Sequence, residues 1–450
     1  MKTLIVLGAT GDLAGRLLLP AVAAMRAAGS LGRDFRCVGV GQQDWSPEEF
    51  TTHARARLSL HAPEVSAADR DGFLAGVTYR QADVTDPDDV AAVLDFVHDE
   101  VAAGPVTVYL ALPTQLLLGA VQAVQSHGLP FGSRLAVEKP LGYDGRSAAE
   151  INDVLADIGS AAGTSAIYRV DHALAMAAVQ ALPRACYPGT DRRLEWDSRH
   201  IEQIDLLFEE TLALEGRASF YDRAGALRDV MQNHLLQMLT TIAQPPATDA
   251  DVANADVANA DVAAADRRAA VLRAVRPLGV DDVLTRTRRA RYTAGRLSVR
   301  DGADGRWVPD YGAEDGVDPS RDTETFAEVV LEIDTPQWVG TRFVLRAGKA
   351  LDARRRGVFI RFRPELETGT VAPDPVWLDI DEIRDGSGVA AEPAAYQRIV
   401  ADLLSGESAF AVSAAEVELA WELVMPVLRA WSADAVPMLS YPAGSRGPAA

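Results

Sequence analysis

Three charged or titratable side chains stand close together near the middle of the chain. Arg169, Asp171 and His172 open the stretch YRVDHALAMAAVQAL, residues 168–182, which then becomes almost wholly aliphatic. A carboxylate next to a histidine is typical of acid–base sites, because imidazole changes its charge near neutral pH. The aliphatic remainder is typical of a buried helix. The stretch therefore indicates either the edge of an active site or a core helix with a charged entrance.

A glycine-rich turn near the N-terminus indicates a nucleotide site. GATGDLAGR, residues 8–16, follows the short apolar run TLIVL at 3–7. Glycines between a strand and a helix let the backbone approach a pyrophosphate, whose charge the helix N-terminus favours. The pattern Gly8-x-x-Gly11 is shorter than the full dinucleotide fingerprint, and a tight turn without a ligand is the alternative. Its place after the first strand favours a dinucleotide.

The end of the second predicted strand bears on which dinucleotide is bound. VGVGQQD, residues 38–44, places Gln42, Gln43 and Asp44 where the adenine ribose would lie. NADP-binding proteins usually have an arginine there, whereas NAD-binding proteins often have a carboxylate. We therefore expect NAD to be favoured over NADP.

Strands and helices alternate over the first part of the chain. Helical stretches are predicted at 115–127 and 146–158, among others, and β-rich runs at 3–7, 35–40, 106–112 and 134–140. This alternation predicts an α/β Rossmann domain, a doubly wound parallel sheet, over residues 1–170.

The remainder, residues 171–450, has a different texture. Long helical segments are predicted at 199–243 and 266–276, followed by strand-like runs at 326–333, 342–347, 357–362 and 376–381. Strands gathered late in the chain predict a larger α+β domain with a mostly antiparallel sheet. The near-repeat ADVAN in residues 245–266 predicts a low-complexity surface insertion. The tail SYPAGSRGPAA, residues 440–450, is expected to run along the surface.

Composition narrows the class of protein. With 44 basic and 64 acidic residues the formal charge is −20, which repels nucleic acid, so no nucleic-acid partner is expected. The two cysteines, Cys37 and Cys186, exclude a disulfide framework, and the seven histidines form no HxxxH metal pair. No apolar run approaches the roughly 20 residues that span a membrane, and the run at 3–7 is too short for a signal peptide. We expect a cytoplasmic protein without a membrane partner or a metal.

Blocks of sequence throughout the chain resemble the glucose-6-phosphate dehydrogenase family. They are GATGDLAGR, YLALP (109–113), EKPLG (138–142), YRVDH (168–172), EGRASFYDRAGALRDVMQNHLLQML (215–239), TETF (323–326), LRAGKAL (345–351) and YPAGSRGPAA (441–450). The resemblance implies an NAD(P)-dependent sugar dehydrogenase that transfers hydride from C1 of a hexopyranose to the cofactor and forms a 1,5-lactone. It also implies a homodimer or homotetramer, assembled through the second domain.

The resemblance further implies roles for individual residues. His234 matches the base that takes the C1 hydroxyl proton, and Asp171 matches the carboxylate that orients it. Lys139 matches a lysine near C1 and the nicotinamide, and it precedes Pro140, the position of a cis bond in the family. The residues that match sugar ligands are His172, Glu210, Asp229, Lys349 and Arg354. The residues that match cofactor ligands are Gly8, Thr10, Gly11, Asp12, Leu13, Gln42, Leu112, Pro113 and Lys139.

The chain departs from the family at two hydrogen-bond-donor positions of the phosphate-binding motif. The family has Asp-His-Tyr-Leu-Gly-Lys, but here Ala173 replaces the tyrosine and Met176 the lysine. Charge-assisted hydrogen bonds contribute about 1.5–3 kcal/mol each, so losing two donors weakens phosphate binding by roughly two to four powers of ten. On the cofactor side, Leu17 replaces a family lysine, and Gln42 aligns with the NADP-reading arginine. These changes together indicate an altered specificity.

Three functions stay open on the sequence alone. The first is an NAD-preferring dehydrogenase for glucose 6-phosphate, held loosely, or for a related sugar with another group at C6. The second is the same chemistry on a modified sugar or sugar-bearing intermediate of specialised metabolism. The third is a non-catalytic dinucleotide-binding homologue. Retention of both Asp171 and His234 argues against the third.

Overall fold

The computed structural model describes residues 2–101, 103–163, 167–186, 196–244, 257–297, 305–364, 374–381 and 391–449. The chain divides into two compact units. The first unit comprises Met1–Met176, Ala255–Ala265 and Ser387–Ala414. The second unit comprises Ala177–Asn254, Asp266–Gly386 and Ala415–Ala450. Strands are numbered below in chain order across both units.

A seven-stranded sheet forms the centre of the first unit. Its strands are β1 (Thr3–Leu7), β2 (Arg36–Gly41), β3 (Val77–Gln81), β4 (Thr107–Leu110), β5 (Arg134–Glu138), β6 (Ile167–Val170) and β15 (Ala411–Val412). The first six are parallel in the order β3-β2-β1-β4-β5-β6, and β15 pairs antiparallel with β6. Every residue of β1 and β4 is buried, as in parallel sheets with helices on both faces. The predicted doubly wound parallel sheet is confirmed.

Helices alternate with these strands. Several begin at a side-chain cap: Ser46, Asp86 and Asp144 each accept a hydrogen bond from a backbone N–H of the first turn. The helices are Leu19–Ala27, Pro47–His61, Ala67–Leu74, Pro87–Phe96, Thr114–His127, Gly145–Ala162, His172–Ala175 and Ala391–Ser405. Turns of π-type helix precede the first of these at Ala14–Leu18 and follow the fourth at Val97–Val101.

The second unit is built on another seven-stranded sheet. Its strands are β7 (Ile201–Glu209), β8 (Thr287–Thr293), β11 (Phe326–Leu331), β12 (Arg342–Gly348), β13 (Arg355–Phe362), β14 (Val376–Asp379) and β16 (Met438–Pro442), in the order β14-β13-β7-β12-β11-β8-β16. Only the β7–β12 and β8–β16 pairs of this sheet are parallel, so the predicted mostly antiparallel sheet is confirmed. A separate antiparallel pair joins β9 (Gly295–Leu297) and β10 (Arg306–Val308).

The remaining helices lie in the later segments of the chain, and a π-type segment between two of them bears the predicted base. They are Ala177–Cys186, Ala218–Ala226, Leu236–Ala243, Val257–Ala274, Val280–Arg286 and Ala414–Ser432, with short 3-10 turns at Tyr311–Ala313 and Pro319–Arg321. A π-type segment, Leu227–Leu235, joins the second helix to the third. Across the part of the chain that the structure describes, no helix is both long and apolar enough to cross a membrane.

Two segments differ from their predicted conformation. Residues 201–209 form β7 within the predicted helix 199–243, because a strand buried on nearly all positions has no alternation that distinguishes it from a helix. Part of the tail is not on the surface, since Met438–Pro442 is a strand and Tyr441 is 1% exposed. Its ring packs in an aromatic core with Tyr292 and Phe326.

The division into units is less simple than one boundary at residue 170. The first unit extends to Met176 and regains two later segments, 255–265 and 387–414. Within the second of these, β15 extends the sheet and the Ala391–Ser405 helix packs against the Leu19–Ala27 and His172–Ala175 helices. Within the predicted insertion, 245–256 lie outside the described residues. Residues 257–266 begin the Val257–Ala274 helix, consistent with their alanine content.

Candidate active site

Predicted site residues follow five strands of the first unit at one edge of its sheet. Strands β1, β2, β4, β5 and β6 are followed in turn by Gly8, Gln42, Leu112, Lys139 and Asp171. Because these strands are parallel, their carboxyl ends share an edge. The order of the strands reverses between β1 and β4, and ligands of open α/β sheets bind at such a point. The fold therefore gathers the predicted cofactor ligands at this edge.

The turn after β1 requires glycine. Gly8 has φ +88°, and a Cβ there would lie 2.5 Å from the carbonyl oxygen of Ala111 and 2.9 Å from Leu112 Cδ2. The N–H of Gly8 donates to the carbonyl of Val40 over 2.9 Å, and that of Gly11 donates to the Gly8 carbonyl over 3.0 Å. The backbones of the turn and of the β4 end thus touch at the reversal point. This glycine cradle fits the pyrophosphate of a dinucleotide, with Thr10, Gly11, Asp12 and Leu13 at the helix start.

Gln42, which was predicted to lie beside the ribose, is exposed at the end of β2. Its side chain donates a hydrogen bond to Asp83. Hydrogen bonds from the backbone and side chain of Thr85, together with that from Gln42, lower the pKa of Asp83. Next to it, the Thr10 hydroxyl donates to Gln43 Oε1 over 2.6 Å. The position that aligns with the family's arginine therefore has an ionised carboxylate beside it.

Two cations lie near the glycine turn. Arg16 belongs to the motif itself, whereas Arg57 was not suggested by the sequence. Arg57, on the Pro47–His61 helix, contacts Asp12 over 2.9 Å, and Arg16 lies 3.7 Å from the same carboxylate. The Arg57 side chain also lies beside Gly15, where a Cβ would be 2.7 Å from its Nε. Arg57 was missed because its partner is 45 positions away and no local pattern links them.

Lys139 follows a buried carboxylate at the end of β5. The Lys139–Pro140 peptide bond is cis, as the resemblance implied. Glu138 is 3% exposed and accepts hydrogen bonds from the hydroxyls of Tyr109, over 2.6 Å, and Tyr396, over 2.9 Å. Burial raises the pKa of Glu138. Two tyrosines thus hold the residue that precedes Lys139.

Asp171 and His172 begin the short helix after β6. Asp171 is buried and caps this helix, since its Oδ1 accepts the N–H of Ala173 over 3.0 Å. The His172 ring lies nearly parallel to the Tyr396 ring, with centroids 5.6 Å apart. Ala173 and Met176, at 2% and 1% exposure, are core residues. The stretch at 168–182 therefore combines a charged entrance with a buried helix, and the two positions that lack the family's phosphate ligands, Ala173 and Met176, lie in the core.

In the second unit, Asp229 and His234 share the π-type segment Leu227–Leu235. Hydrogen bonds in such a segment link residues five apart, so these two residues lie on nearly the same side of it. His234 is 2% exposed, and its ring centroid is 6.0 Å from that of Phe208 on β7. Segments of this kind recur at functional sites, and this one carries both of these predicted site residues.

Glu210 and Lys349 form an ion pair. Lys349 Nζ lies 2.5 Å from Glu210 Oε2 and 5.1 Å from the centre of the Tyr221 ring. The backbone N–H of Glu210 donates to the Gly348 carbonyl over 2.8 Å, so the end of β7 is fixed against the end of β12. The sugar-binding lysine and one sugar-binding carboxylate of the prediction are therefore adjacent.

Arg354 belongs to a cluster that includes a second arginine. Arg354 Nε lies 2.9 Å from Asp381 Oδ2, and Arg356 Nε donates to the same oxygen over 3.1 Å. The side chain of Arg354 is 42% exposed, whereas that of Arg356 is 4% exposed, with its guanidinium 5.0 Å from the Phe208 ring centre. Arg356 and Asp381 were not predicted, although the run of three arginines was a signal for the former.

The structure thus brings the predicted residues together in two sets. One set lies along the sheet edge of the first unit, and the other lies near β7 and the Leu227–Leu235 segment of the second. Asp171 and His234 belong to different units, so their pairing stays a prediction. Tyr396 was also missed, since it is 258 positions from Glu138.

Comparisons with known proteins cover nearly the whole chain. Residues 5–181 match the family model for the glucose-6-phosphate dehydrogenase NAD binding domain, and residues 193–374 and 371–450 match that for the C-terminal domain of the same enzyme. The chain is 30% identical to the glucose-6-phosphate 1-dehydrogenase of Zymomonas mobilis, covering 100% of this chain and 96% of the relative. A glucose-6-phosphate dehydrogenase solved with its substrate has a TM-score of 0.80 at 24% identity, covering 99% of this chain and 95% of that chain. The glucose-6-phosphate 1-dehydrogenase from Mycobacterium avium has a TM-score of 0.76 at 25% identity, with the same coverage.

Proposed function

Since the chain belongs to the glucose-6-phosphate dehydrogenase family, we propose that it oxidises C1 of a hexopyranose, glucose 6-phosphate or a related sugar, to a 1,5-lactone. As a member of this family it is an NAD(P)-dependent oxidoreductase that acts on a CH–OH group. The observation that supports the proposal most is that one π-type segment carries both Asp229 and His234, with the His234 ring centroid 6.0 Å from that of Phe208.

The residues of the second unit have complementary roles in this reaction. His234 accepts the proton of the C1 hydroxyl as the C1–oxygen double bond forms. Asp229 and Glu210 accept hydrogen bonds from other sugar hydroxyls, because a carboxylate has two acceptor oxygens. Lys349 holds Glu210 in place through their 2.5 Å contact. The nicotinamide, when bound, supplies the acceptor for the C1 hydride.

The first unit holds the cofactor and completes the base. The glycine cradle at Gly8 and Gly11, with Leu112 and Pro113 beside it, takes the pyrophosphate side of the dinucleotide. Lys139, which follows the buried Glu138, is the proposed contact at the reacting end of the cofactor, where the nicotinamide meets C1 of the sugar. Asp171 orients His234, as the resemblance implies.

We propose that NAD is preferred to NADP. Asp83, kept ionised by its hydrogen bonds, stands beside Gln42, where a 2′-phosphate would approach. Asp44 is exposed nearby, and Arg57 and Arg16 both face Asp12. Two like charges at close range disfavour a phosphate dianion, whereas a ribose hydroxyl can donate to a carboxylate.

In this proposal the C6 end of the sugar binds near Arg354 and Arg356. Arg354, Arg356 and Asp381 together hold one net positive charge, which suits an anionic substituent. The guanidinium of Arg356 lies 5.0 Å from the Phe208 centroid, which is 6.0 Å from that of His234, so about 11 Å is their greatest separation. A separation within this limit is short enough for one hexose to reach both residues, with C1 at His234 and an anion at C6.

A modified sugar is the second candidate. Ala173 and Met176 are buried and apolar where the family has two phosphate ligands. A phosphate at C6 therefore has fewer donors, and a sugar with a smaller or differently charged C6 group loses less affinity. His172 remains on this helix as a partner for such a group.

Initial rates of NAD and NADP reduction test the proposal. The substrates to compare are glucose 6-phosphate, free glucose, other hexose phosphates and aminosugars. We expect turnover with at least one of them, a higher kcat/KM with NAD than with NADP, and a rise in NADP use on Q42R. Fast NADP reduction at micromolar glucose 6-phosphate would contradict both specificity proposals. Sedimentation velocity on the same sample tests for the predicted homodimer or homotetramer.

A further inference from the structure

The TETF motif at 323–326 has no role in the reaction described above. Thr323, Glu324 and Thr325 precede β11 and are 8%, 6% and 0% exposed. A buried glutamate is costly unless its oxygens accept hydrogen bonds. The partners of Glu324 therefore indicate why a carboxylate is placed there.

Glu324 contacts the start of the segment that bears the predicted base. Its Oε1 accepts the backbone N–H of Leu227 over 2.9 Å, and its own carbonyl accepts the N–H of Ala226 over 3.3 Å. The first N–H groups of a helical segment have no partner within it. Glu324, which is 97 positions after Leu227 in the chain, accepts hydrogen bonds from two successive N–H groups at the start of the segment.

Gly225 makes room for this contact. Its φ of +68° and ψ of 173° interrupt the helical path between Ala218–Ala226 and Leu227–Leu235. A Cβ at Gly225 would lie 2.7 Å from Cδ of Glu324. The break in the helix and the carboxylate therefore fit each other, and together they set where the segment with Asp229 and His234 begins.

The neighbouring threonines extend the contact on both sides. The Thr323 hydroxyl donates to the carbonyl of Asp222 over 2.6 Å, on the helix before the break. The Thr325 carbonyl accepts the N–H of Lys349 over 2.9 Å, next to the ion pair with Glu210. The motif thus links the base-bearing segment to the sugar-binding lysine.

We propose that Glu324 is a positioning residue, which fixes the start of the Leu227–Leu235 segment and so the direction of His234. This inference rests on the proposed function for its kinetic consequence, but the cap itself does not depend on activity. The carboxylate suits the positive end of a helical segment. Placing a base in its reactive geometry contributes to kcat more than to KM when substrate binding depends on other groups.

Three variants of the full-length protein test the role. E324A removes the acceptor, whereas E324Q keeps an amide oxygen in its place. D222A is the matched control, because Asp222 is also buried, at 3% exposure, and its carboxylate accepts the Tyr311 hydroxyl over 2.7 Å and the Asp318 N–H over 3.0 Å. It lies before the helix break and faces other elements, so its loss lowers stability without uncapping the segment.

We expect kcat of E324A to fall about 10- to 100-fold with KM changed less than about threefold. E324Q and D222A should retain kcat within about threefold, although D222A lowers the melting temperature. Hydrogen exchange should show faster exchange of the Leu227 amide in E324A and not in D222A. The role is contradicted if D222A loses as much kcat as E324A, if E324A keeps full kcat, or if the Leu227 amide stays protected. Wild-type protein that turns over no sugar contradicts the proposed function instead.

Discussion

The two units hold their predicted site residues in different ways. In the first unit each residue follows a strand directly, and backbone shape fixes it: Gly8 has a positive φ, and Asp171 caps the helix it precedes. In the second unit the residues are held by side chains from distant elements, such as Lys349 on Glu210, 139 positions away. A side chain added at a glycine should therefore disturb the site residues of the first unit. Loss of one charged partner should disturb those of the second.

Loss of the predicted base should have the largest effect, and it tests the second unit. H234N removes the imidazole, so kcat should fall about 10²- to 10⁴-fold, the usual contribution of a general base. Steady-state kinetics with the best substrate measures this. H200N is the matched control, since His200 is a histidine outside the proposed site and contacts Asp197 over 3.0 Å. Equal activity of both variants would remove the base assignment.

A methyl group at Gly8 should have the next largest effect, and it tests the first unit. G8A should lower the free energy of unfolding by about 3 kcal/mol, because the new Cβ meets the Ala111 carbonyl at an unfavourable φ. Binding of NAD should weaken at least about tenfold. G29A is the control, with φ +75° and open space around it, and should cost only about 1 kcal/mol. Denaturant titration and calorimetry distinguish the two, and equal losses would show that close approach at Gly8 is unimportant.

Removal of one charged partner should have a smaller effect in the second unit. K349M leaves Glu210 without its 2.5 Å contact and removes the cation over Tyr221. We expect KM for the sugar to rise about tenfold and kcat to change less. R276M is the control, since Arg276 pairs with Asp334 at an exposed position that includes none of the proposed sugar ligands, and it should leave kinetics unchanged. An unchanged KM in K349M would exclude Lys349 from sugar binding.

The smallest effect concerns how carboxylates are held. Glu138 and Asp402 of the first unit accept hydrogen bonds from tyrosines, whereas Glu416 and Glu209 of the second pair with arginines. Burial raises the pKa of Asp402 to about 6, above its value in the unfolded chain. Its protonated form is therefore favoured by folding, and its contribution to stability is full below about pH 4 and lost as pH rises through about 6.

D402N removes this titration. We expect the difference in free energy of unfolding between wild type and D402N to shift by about 1 kcal/mol between pH 4 and pH 7, against the wild type, after allowing for solvent screening. Urea titrations across that range measure the shift. A difference independent of pH would show that Asp402 titrates normally in the folded protein.

Local patterns in the sequence were sufficient for much of the first unit. The Gly8 turn and the strand ends each involve residues within a few positions, so spacing alone predicts them. The charged entrance at Asp171 was visible too, but its role as a helix cap came from the structure. Their positions along one edge follow from the parallel order of the strands. The sequence did not reveal Arg57 beside Asp12 or Tyr396 beside Glu138. Both contacts depend on packing between elements that are distant in the chain.

The second unit was less accessible to such reasoning. Residues 201–209 were predicted to be helical because a strand buried at nearly every position shows no apolar–polar alternation, yet they form β7, an inner strand that carries Phe208 and ends next to Glu210. The roles of His234 and Asp229 came from the family resemblance, since no spacing rule of α-helices places residues five apart on one side. Glu324 lay in a recognised block, but its contact with Leu227 spans two elements that only the fold brings together.

The late return of residues 387–414 to the first unit has a consequence for biosynthesis. A ribosome that has released residues 1–176 has made all six parallel strands, but β15 and Tyr396 emerge more than 200 residues later. Until then β6 is an open edge, and Glu138 has one tyrosine partner fewer. Nascent or truncated chains that end before residue 411 therefore present an unpaired strand to other chains. The N-terminal unit is among the last parts of this protein to finish folding, and truncation from the C-terminus damages the part made first.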